Sequence, residues 1–140
     1  MYNVSINLWV ILSAAIASQI VGMIWYSPFV LGKPWARLAG MNENWIKDRS
    51  PEARKKYMLS FLSSLVMSYV LVLLMSNLVL IDTLQVLKVG FLMWLGFVAT
   101  TTFSQYLFAP SPRPRALYFI DNGYSLISIL VMVYIISLFI

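Results

Sequence analysis

The 140-residue sequence contains no cysteine and no histidine, and only 11% of its residues are charged. Without cysteine the chain can form no disulfide, no thiolate metal site and no iron–sulfur cluster, and it has no thiol nucleophile. Without histidine it can form neither a Ser-His-Asp triad nor a histidine-ligated zinc or haem site. Its five acidic residues offer no evident acid–base pair. We therefore expect no cofactor, no bound metal and no enzymatic activity.

The chain is instead rich in apolar side chains. Its hydrophobic fraction is 61%, whereas ordinary soluble domains have roughly 45–50% apolar and about 25% charged residues. A soluble domain of this length would bury only about two-thirds of its surface, so many of these side chains would meet water. The composition therefore excludes a soluble domain, and it also excludes intrinsic disorder, which requires low hydrophobicity.

Four apolar segments are long enough to cross a bilayer. They cover residues 8–31, 58–81, 86–109 and 116–140, and each would be roughly 36 Å long as a helix. The hydrocarbon core of a bilayer is about 30 Å thick, and a segment inside it must satisfy its own backbone hydrogen bonds, so we expect helices. The sequence predicts an all-α membrane protein in which four transmembrane helices form an antiparallel bundle, as a single domain over residues 1–140.

The positive charges predict the orientation of these helices. Linker 32–57 carries seven lysine and arginine residues and linker 110–115 carries two, whereas the opposite side carries only Lys88. By the positive-inside rule both basic linkers should be cytoplasmic, which places both termini outside. We attribute the positive charge to topology and to contact with anionic lipid, and expect no nucleic-acid binding. Because no basic residue precedes the first segment, we expect it to be retained rather than cleaved as a signal peptide.

Two short sequences mark helix starts. Ser50-Pro51-Glu52 combines an N-cap residue, a proline suited to the first helical position and an acid in the first turn, which predicts a helix beginning near Pro51. Asp82 and Gln85 have capping-box spacing, which predicts the start of the third long helix.

The first linker has its own pattern. Between Pro34 and Lys47, residues such as Trp35 and Trp45 stand among charged side chains, which favours a short helix on the membrane surface with the tryptophans at headgroup level. Gly40 and the residues after it should interrupt this helix.

Small residues recur at helical spacing in the predicted spans. No hydrophobic force drives helices together inside a membrane, so small residues that permit close approach are enriched where such helices pack. An alternative is that these weakly polar side chains, together with Gln19 and Gln105, line a polar pathway, and the spacing alone does not decide between the two. We predict helix packing along three stripes: Ala14, Ser18 and Gly22; Ser60, Ser64 and Ser68; and Gly96, Thr100 and Ser104.

Asp121 is an acid about two turns into the fourth predicted helix. An acid in an apolar helix is costly and usually faces the bundle interior or an aqueous cavity, which would suit a cation or proton site at the cytoplasmic mouth. The other interpretation, an interfacial acid stabilised by the helix N-terminus or paired with Lys33, Arg113 or Arg115, fits its position nearer the interface than the midplane. The candidate residues of a binding vestibule or ion site are Asp121, Asn122, Tyr124, Trp25, Tyr26 and Lys33.

Several of these residues carry a resemblance to a known family. The motifs are Trp25-Tyr26-Ser27-Pro28 with Gly32-Lys33-Pro34-Trp35; Gly90, Trp94, Gly96 and Phe97; and Leu117, Ile120, Asp121, Gly123 and Tyr124. They resemble the bacterial and fungal membrane family named domain of unknown function 1761. The resemblance covers nearly the whole chain and implies a small four-span protein of the bacterial inner membrane. It implies no activity and no catalytic residue.

The leading functional hypothesis is a non-enzymatic helix-bundle protein that self-associates or binds a partner, since 140 residues leave almost no soluble domain for other work. We expect a homo-oligomer. The alternative is a small ion- or proton-coupled transporter or channel, because the size and span count resemble those of small multidrug exporters. Those proteins carry a buried acid in the first span, where this chain offers only Gln19, so such a mechanism would have to use Asp121.

Overall fold

The structure is a computed structural model that describes residues 7–80 and 82–139. Ile81 and Ile140, the predicted ends of two apolar segments, lie outside the described residues. All regular secondary structure in the described residues is helical, which confirms the predicted all-α class, and four of the helices are long and apolar enough to cross a membrane. The helices are α1 (Leu8–Trp25), α2 (Gly32–Leu38), α3 (Pro51–Ser76), α4 (Thr83–Leu107) and α5 (Arg115–Ser137).

The first long helix is shorter than the sequence predicted. It ends at Trp25 rather than at residue 31, and a tight loop containing Pro28, which has no N–H to donate, follows it. Within this loop the Leu31 amide donates to the Trp25 carbonyl at 3.1 Å, and the Gly32 amide donates to the Ser27 carbonyl at 2.9 Å. The loop leads into α2, which packs against α5.

The two helix starts predicted from the sequence are confirmed. The Ser50 hydroxyl accepts a hydrogen bond from the Ala53 amide at 3.2 Å, and α3 begins at Pro51. The Asp82 carboxylate accepts one from the Gln85 amide at 2.8 Å, and α4 begins directly after it. Each cap satisfies an N-terminal amide that has no partner within its own helix.

The linker between α1 and α3 contains two short helical pieces. Helix α2 ends at Leu38, and a single turn of 3-10 helix covers Trp45–Lys47. Between them Gly40 has a φ of +68°, which residues with a Cβ rarely adopt. The helical structure predicted for this linker is therefore present in two parts, with the interruption at the predicted glycine.

Helix α5 contacts each of the other three long helices, and α4 packs mainly on α5. The hydrophobic core lies at the end of the bundle away from the linker between α1 and α3. Its completely buried members include Met75 near the end of α3 and Met132 and Ile136 near the end of α5. The half of the bundle nearer that linker is held by polar and aromatic contacts instead.

The stripe predicted on α1 faces α5. Ala14 and Ser18 are buried, and the Ser18 hydroxyl oxygen lies 2.6 Å from that of Ser128. A Cβ on Gly22 would lie 3.3 Å from the Tyr124 ring, so the glycine allows the two helices to approach closely. Small residues on α1 thus occur where it packs on α5.

The stripe predicted on α3 meets α1. Ser68 is fully buried and its hydroxyl donates to the Ile11 carbonyl at 2.9 Å. Ser64 is also buried and accepts a hydrogen bond from the Gln19 amide nitrogen at 2.7 Å. Ser60, closer to the linker, is exposed, and its hydroxyl oxygen lies farther from the same amide nitrogen, at 3.4 Å.

The stripe predicted on α4 makes no such contact. Gly96, Thr100 and Ser104 are exposed, and a Cβ on Gly96 would meet no atom within 4 Å. The two hydroxyls donate to backbone carbonyls one turn earlier in the helix. The side of α4 that faces α5 carries Gly90 and Ala99 instead, so the predicted stripe lies on the outer side.

Candidate functional site at the linker end of the bundle

The Asp121 carboxylate joins α5 to the loop and helix that follow α1. Its Oδ1 atom accepts one hydrogen bond from the Tyr26 hydroxyl and one from the Trp35 indole N–H, each at 2.8 Å. The predicted cationic partners do not pair with it, since the one ion pair within residues 7–80 and 82–139 joins Arg37 to Glu43. Two aromatic donors thus stand where one interpretation of the sequence had expected a lysine or arginine partner.

The short loop after α1 positions both donors. Tyr26 is the first residue after α1, and Trp35 lies on α2, only a few residues farther along the chain. The loop closes at Gly32, where a Cβ would lie 2.1 Å from the Tyr26 carbonyl oxygen. Only glycine fits there, because no Cβ can approach a backbone oxygen so closely.

Aromatic rings surround the Asp121 hydrogen bonds. The Tyr26 ring makes edge-to-face contacts with Trp35 and Tyr124, at centroid distances of 5.3 and 5.2 Å. Trp45, from the 3-10 turn, packs on Trp35 at 5.2 Å. Burial raises the pKa of the Tyr26 hydroxyl far above its ordinary value, and the Asp121 charge raises it further. The hydroxyl therefore stays protonated and remains a donor.

A second contact involves residues close to Asp121 on α5. The Trp25 indole N–H donates to the Ile120 carbonyl at 3.0 Å. Its ring rests against Gly123, where a Cβ would lie 2.9 Å from a ring atom. Aromatic residues at the end of α1 are therefore fastened to α5 at two neighbouring levels, by Trp25 and by Tyr26.

Asn122 connects α5 to α4 rather than to the linker. It is buried, its Oδ1 accepts from the Thr102 hydroxyl at 2.8 Å, and its Nδ2 donates to the Tyr118 carbonyl at 3.0 Å. The Tyr118 hydroxyl donates to the carbonyl of Ala99. This residue is the last of a π-helical segment within α4 (Trp94–Ala99). Such segments are rare and often occur at functional sites.

Two cavities reach this cluster. One, of about 200 Å³, lies between α4 and α5 and has Asp121, Asn122 and Arg113 in its lining. The other, of about 560 Å³, lies between α1, α3 and the linker and has Tyr26 and Tyr124 in its lining. In the part of the chain that the structure describes, no three acidic residues come close enough together to hold a metal ion.

Five of the six candidate residues come together, since Trp25, Tyr26 and Tyr124 surround the α5 segment that carries Asp121 and Asn122. Lys33 does not join them: it is exposed and borders a separate surface cavity with Glu43 and Lys47.

Sequence reasoning missed three contributors to the site. It assigned Trp35 to the membrane surface and gave Thr102 and Tyr118 no role. The sequence contained one signal for Thr102: its hydroxyl on α4 and the Asn122 amide on α5 lie at similar depths in their predicted spans. The π-helical segment that shapes this contact had no signal in the sequence.

Residues 9–137 match the model of a family described as protein of unknown function (DUF1761). The match confirms the resemblance drawn from the sequence motifs, and it includes every residue of the site described above. No curated protein and no solved structure matches the chain.

Proposed function

The chain belongs to the family described as protein of unknown function (DUF1761), and we propose that it is a non-enzymatic multi-pass membrane protein that self-associates or binds a partner. The observation that carries this proposal is the bonding of Asp121. The acid in the apolar part of α5 holds the loop and α2 against the bundle through two aromatic donors. It therefore acts as a structural anchor, and the bundle provides contact surfaces rather than reacting groups.

We propose that the long helices form an antiparallel bundle. Along α1 and α5, Ser18 lies beside Ser128, and Gly22 lies beside Tyr124, so residue numbers rise in one helix as they fall in the other. The contacts between α1 and α3 follow the same rule, from Ile11 with Ser68 to Gln19 with Ser64. These pairings are the ones expected of helices that cross a bilayer in alternating directions.

We place the two basic linkers at the cytoplasmic surface of a bacterial inner membrane. Nine of the ten lysine and arginine residues lie in linkers 32–57 and 110–115, and the positive-inside rule puts such linkers in the cytoplasm. There they would contact anionic lipid, and α2 would lie in the interface. The described ends of α1 and α5 opposite these linkers, and the turn between α3 and α4, would then face outward.

Single-cysteine variants test this orientation, because the chain has no native cysteine. Thr83→Cys, at the exposed start of α4, should react with a membrane-impermeant thiol reagent in intact spheroplasts. Asn44→Cys and Ser111→Cys, in the two basic linkers, should react only after the membrane is permeabilised. Labelling of Asn44→Cys from outside intact cells would contradict the orientation.

We propose that two copies of the chain meet along α4. Its outer side carries the exposed stripe of Gly96, Thr100 and Ser104, and α4 is the least buried of the four long helices. In a membrane, a stripe of small residues lets a second helix approach closely enough for van der Waals contact. The homo-oligomer expected from the sequence would therefore use the stripe that makes no contact within the chain.

Cross-linking tests this surface. Thr100→Cys should form a disulfide-linked dimer in oxidised membranes, because two facing thiols can bond only when their Cβ atoms are about 3.5–4.5 Å apart. The matched control is Val66→Cys, an exposed position on α3 that should stay monomeric. Absence of a dimer from cysteines placed in turn at Gly96, Thr100 and Ser104 would contradict the α4 interface, as would equal cross-linking of the control.

A second candidate function is a small ion- or proton-coupled transporter or channel. The observation that favours it is the cavity of about 200 Å³ that has both Asp121 and Arg113 in its lining. Acids within membrane helices that face a cavity commonly mark ion or proton pathways. The two candidates differ in what they require of Asp121, since an anchor needs its hydrogen-bond acceptor and a coupled transporter needs its charge.

A further inference from the structure

The cavity between α1, α3 and the linker has the composition of a lipid site. Its volume is about 560 Å³, its walls are aromatic and apolar, and a cation stands in its lining. We propose that this groove binds one anionic phospholipid from the surrounding bilayer, with the phosphate on Arg49 and an acyl chain along Met23. Its lining includes Gln19, Met23, Tyr26, Arg49 and Tyr57.

Arg49 supplies the charge complementarity. It is exposed and has no ion-pair partner among residues 7–80 and 82–139. Two acids of the same linker have other partners: Glu43 accepts a hydrogen bond from Arg37, which lowers the pKa of that carboxyl, and the backbone amide of Ser50 lowers the pKa of Asp48 by donating to it. A free guanidinium binds phosphate oxygens through paired hydrogen bonds and is well suited to a phospholipid headgroup.

The remaining lining fits the rest of a lipid molecule. Tyr26 and Tyr57 lie near the linker end, and tyrosine is enriched at the level of lipid headgroups. From Tyr26 the groove extends along α1 to Gln19, a helical distance of about 10 Å. Met23 lies along this length and is 62% exposed, so it is open to the hydrocarbon beside the protein.

The deep end of the groove does not require a polar ligand. The Gln19 amide nitrogen already donates to the Ser64 hydroxyl at 2.7 Å, and the Ser64 hydroxyl donates to the Ser60 carbonyl at 3.2 Å. An apolar chain can therefore cover this end without leaving those donors unsatisfied. The volume also lies within the range of roughly 300–1,000 Å³ that is usual for small-molecule sites.

This site rests on the proposed placement of the linker at the anionic surface of a membrane. The linker cations attract anionic lipids without a fixed position. The proposed site differs because it holds one lipid at a saturable position, defined by one arginine and one groove. Because other linker cations lie outside that groove, substitutions at matched arginines can separate the two effects.

Native mass spectrometry of the purified full chain tests the site. The protein is released from micelles that contain equal amounts of phosphatidylglycerol and phosphatidylcholine with identical acyl chains. We expect wild type to retain one phosphatidylglycerol, and Arg49→Gln to retain at least tenfold less. Arg54→Gln removes an exposed cation at the start of α3, outside the groove, and should retain as much as wild type.

A second pair of variants tests the groove itself and leaves Arg49 in place. Met23→Trp should fill the groove and abolish retention, whereas Val66→Trp, at a similarly exposed position on α3, should not. Both positions are exposed, so neither change should prevent folding.

Three outcomes would overturn the lipid site: equal loss in Arg49→Gln and Arg54→Gln, equal retention of the two lipids by wild type, or no retained lipid in wild type. The orientation measured by cysteine labelling and the dimer measured by cross-linking would stand after any of these results. A failure of the lipid site is therefore distinguishable from a failure of the proposed function.

Discussion

Gly32→Ala should destabilise the protein by about 3 kcal/mol, at the upper end of the usual cost of overpacking. The new Cβ would lie 2.1 Å from the Tyr26 carbonyl oxygen and 2.7 Å from that of Ser27. Both are backbone atoms, so neither can rotate away as a side chain would. The loop must open, and the displacement of α2 would separate Trp35 from Asp121. A lower midpoint in thermal denaturation of the detergent-solubilised protein would show this loss.

The same substitution at Gly96 provides the matched control. A Cβ at Gly96 would meet no atom within 4 Å, and alanine is favoured over glycine in a helix by up to about 1 kcal/mol. Compared in monomeric detergent samples, where the proposed contact between copies along α4 is absent, Gly96→Ala should therefore leave the midpoint unchanged or raise it. Equal midpoints for Gly32→Ala and wild type would show that the loop after α1 is not packed as described.

The parts of the fold that the sequence predicted well depend on local chemistry. Apolar length identifies the spans, and the caps at Ser50 and Asp82 specify helix starts through residues within three positions of each. Apolar length alone places the end of α1 too late, because residues 26–31 are apolar enough to continue a span. Pro28 is the local signal of the loop, since a proline has no backbone N–H to donate and bends or ends a helix. Hydropathy measures burial in lipid and does not report such a loop.

The site was only partly predictable, because it depends on which segments meet. Asp121 stood out as an acid in an apolar helix, but its partners come from positions 86 and 95 residues away in the chain. Trp35 matches the composition of an interfacial helix, and only the fold-back after α1 brings its indole to the carboxylate. The small-residue stripe on α4 likewise indicates that another helix can approach this surface closely, but it does not specify which helix does so.

Asp121→Leu should cost about 4 kcal/mol, because it leaves two donors in a partly buried site without an acceptor, at about 2 kcal/mol each. The donors are the Tyr26 hydroxyl and the Trp35 indole N–H. Asp121→Asn keeps an oxygen at this position and loses only the charge, so its cost should be smaller, at about 1–2 kcal/mol. Thermal denaturation should therefore rank the proteins as wild type, then Asp121→Asn, then Asp121→Leu.

Removing a donor provides the internal control for this ranking. Tyr26→Phe in the Asp121→Leu background removes a hydroxyl that has already lost its acceptor, so the double variant should lose less stability than the sum of the two single changes. Strict additivity would show that the hydrogen bond between Tyr26 and Asp121 does not hold the loop to α5.

Flux measurements on the same purified samples separate the anchor from the transporter. If Asp121 is only an anchor, any flux driven by a pH gradient in proteoliposomes should be the same in wild type and in Asp121→Asn, and the variants should differ from wild type only in stability. No flux from wild type would favour the helix-bundle protein without transport activity. If Asp121 couples ion movement, wild type should carry flux, and Asp121→Asn should fold yet lose it, because an amide cannot exchange protons as a carboxylate does. If wild type transports and Asp121→Asn transports equally well, this residue has no part in the transport mechanism. The stability ranking then decides whether it acts as an anchor.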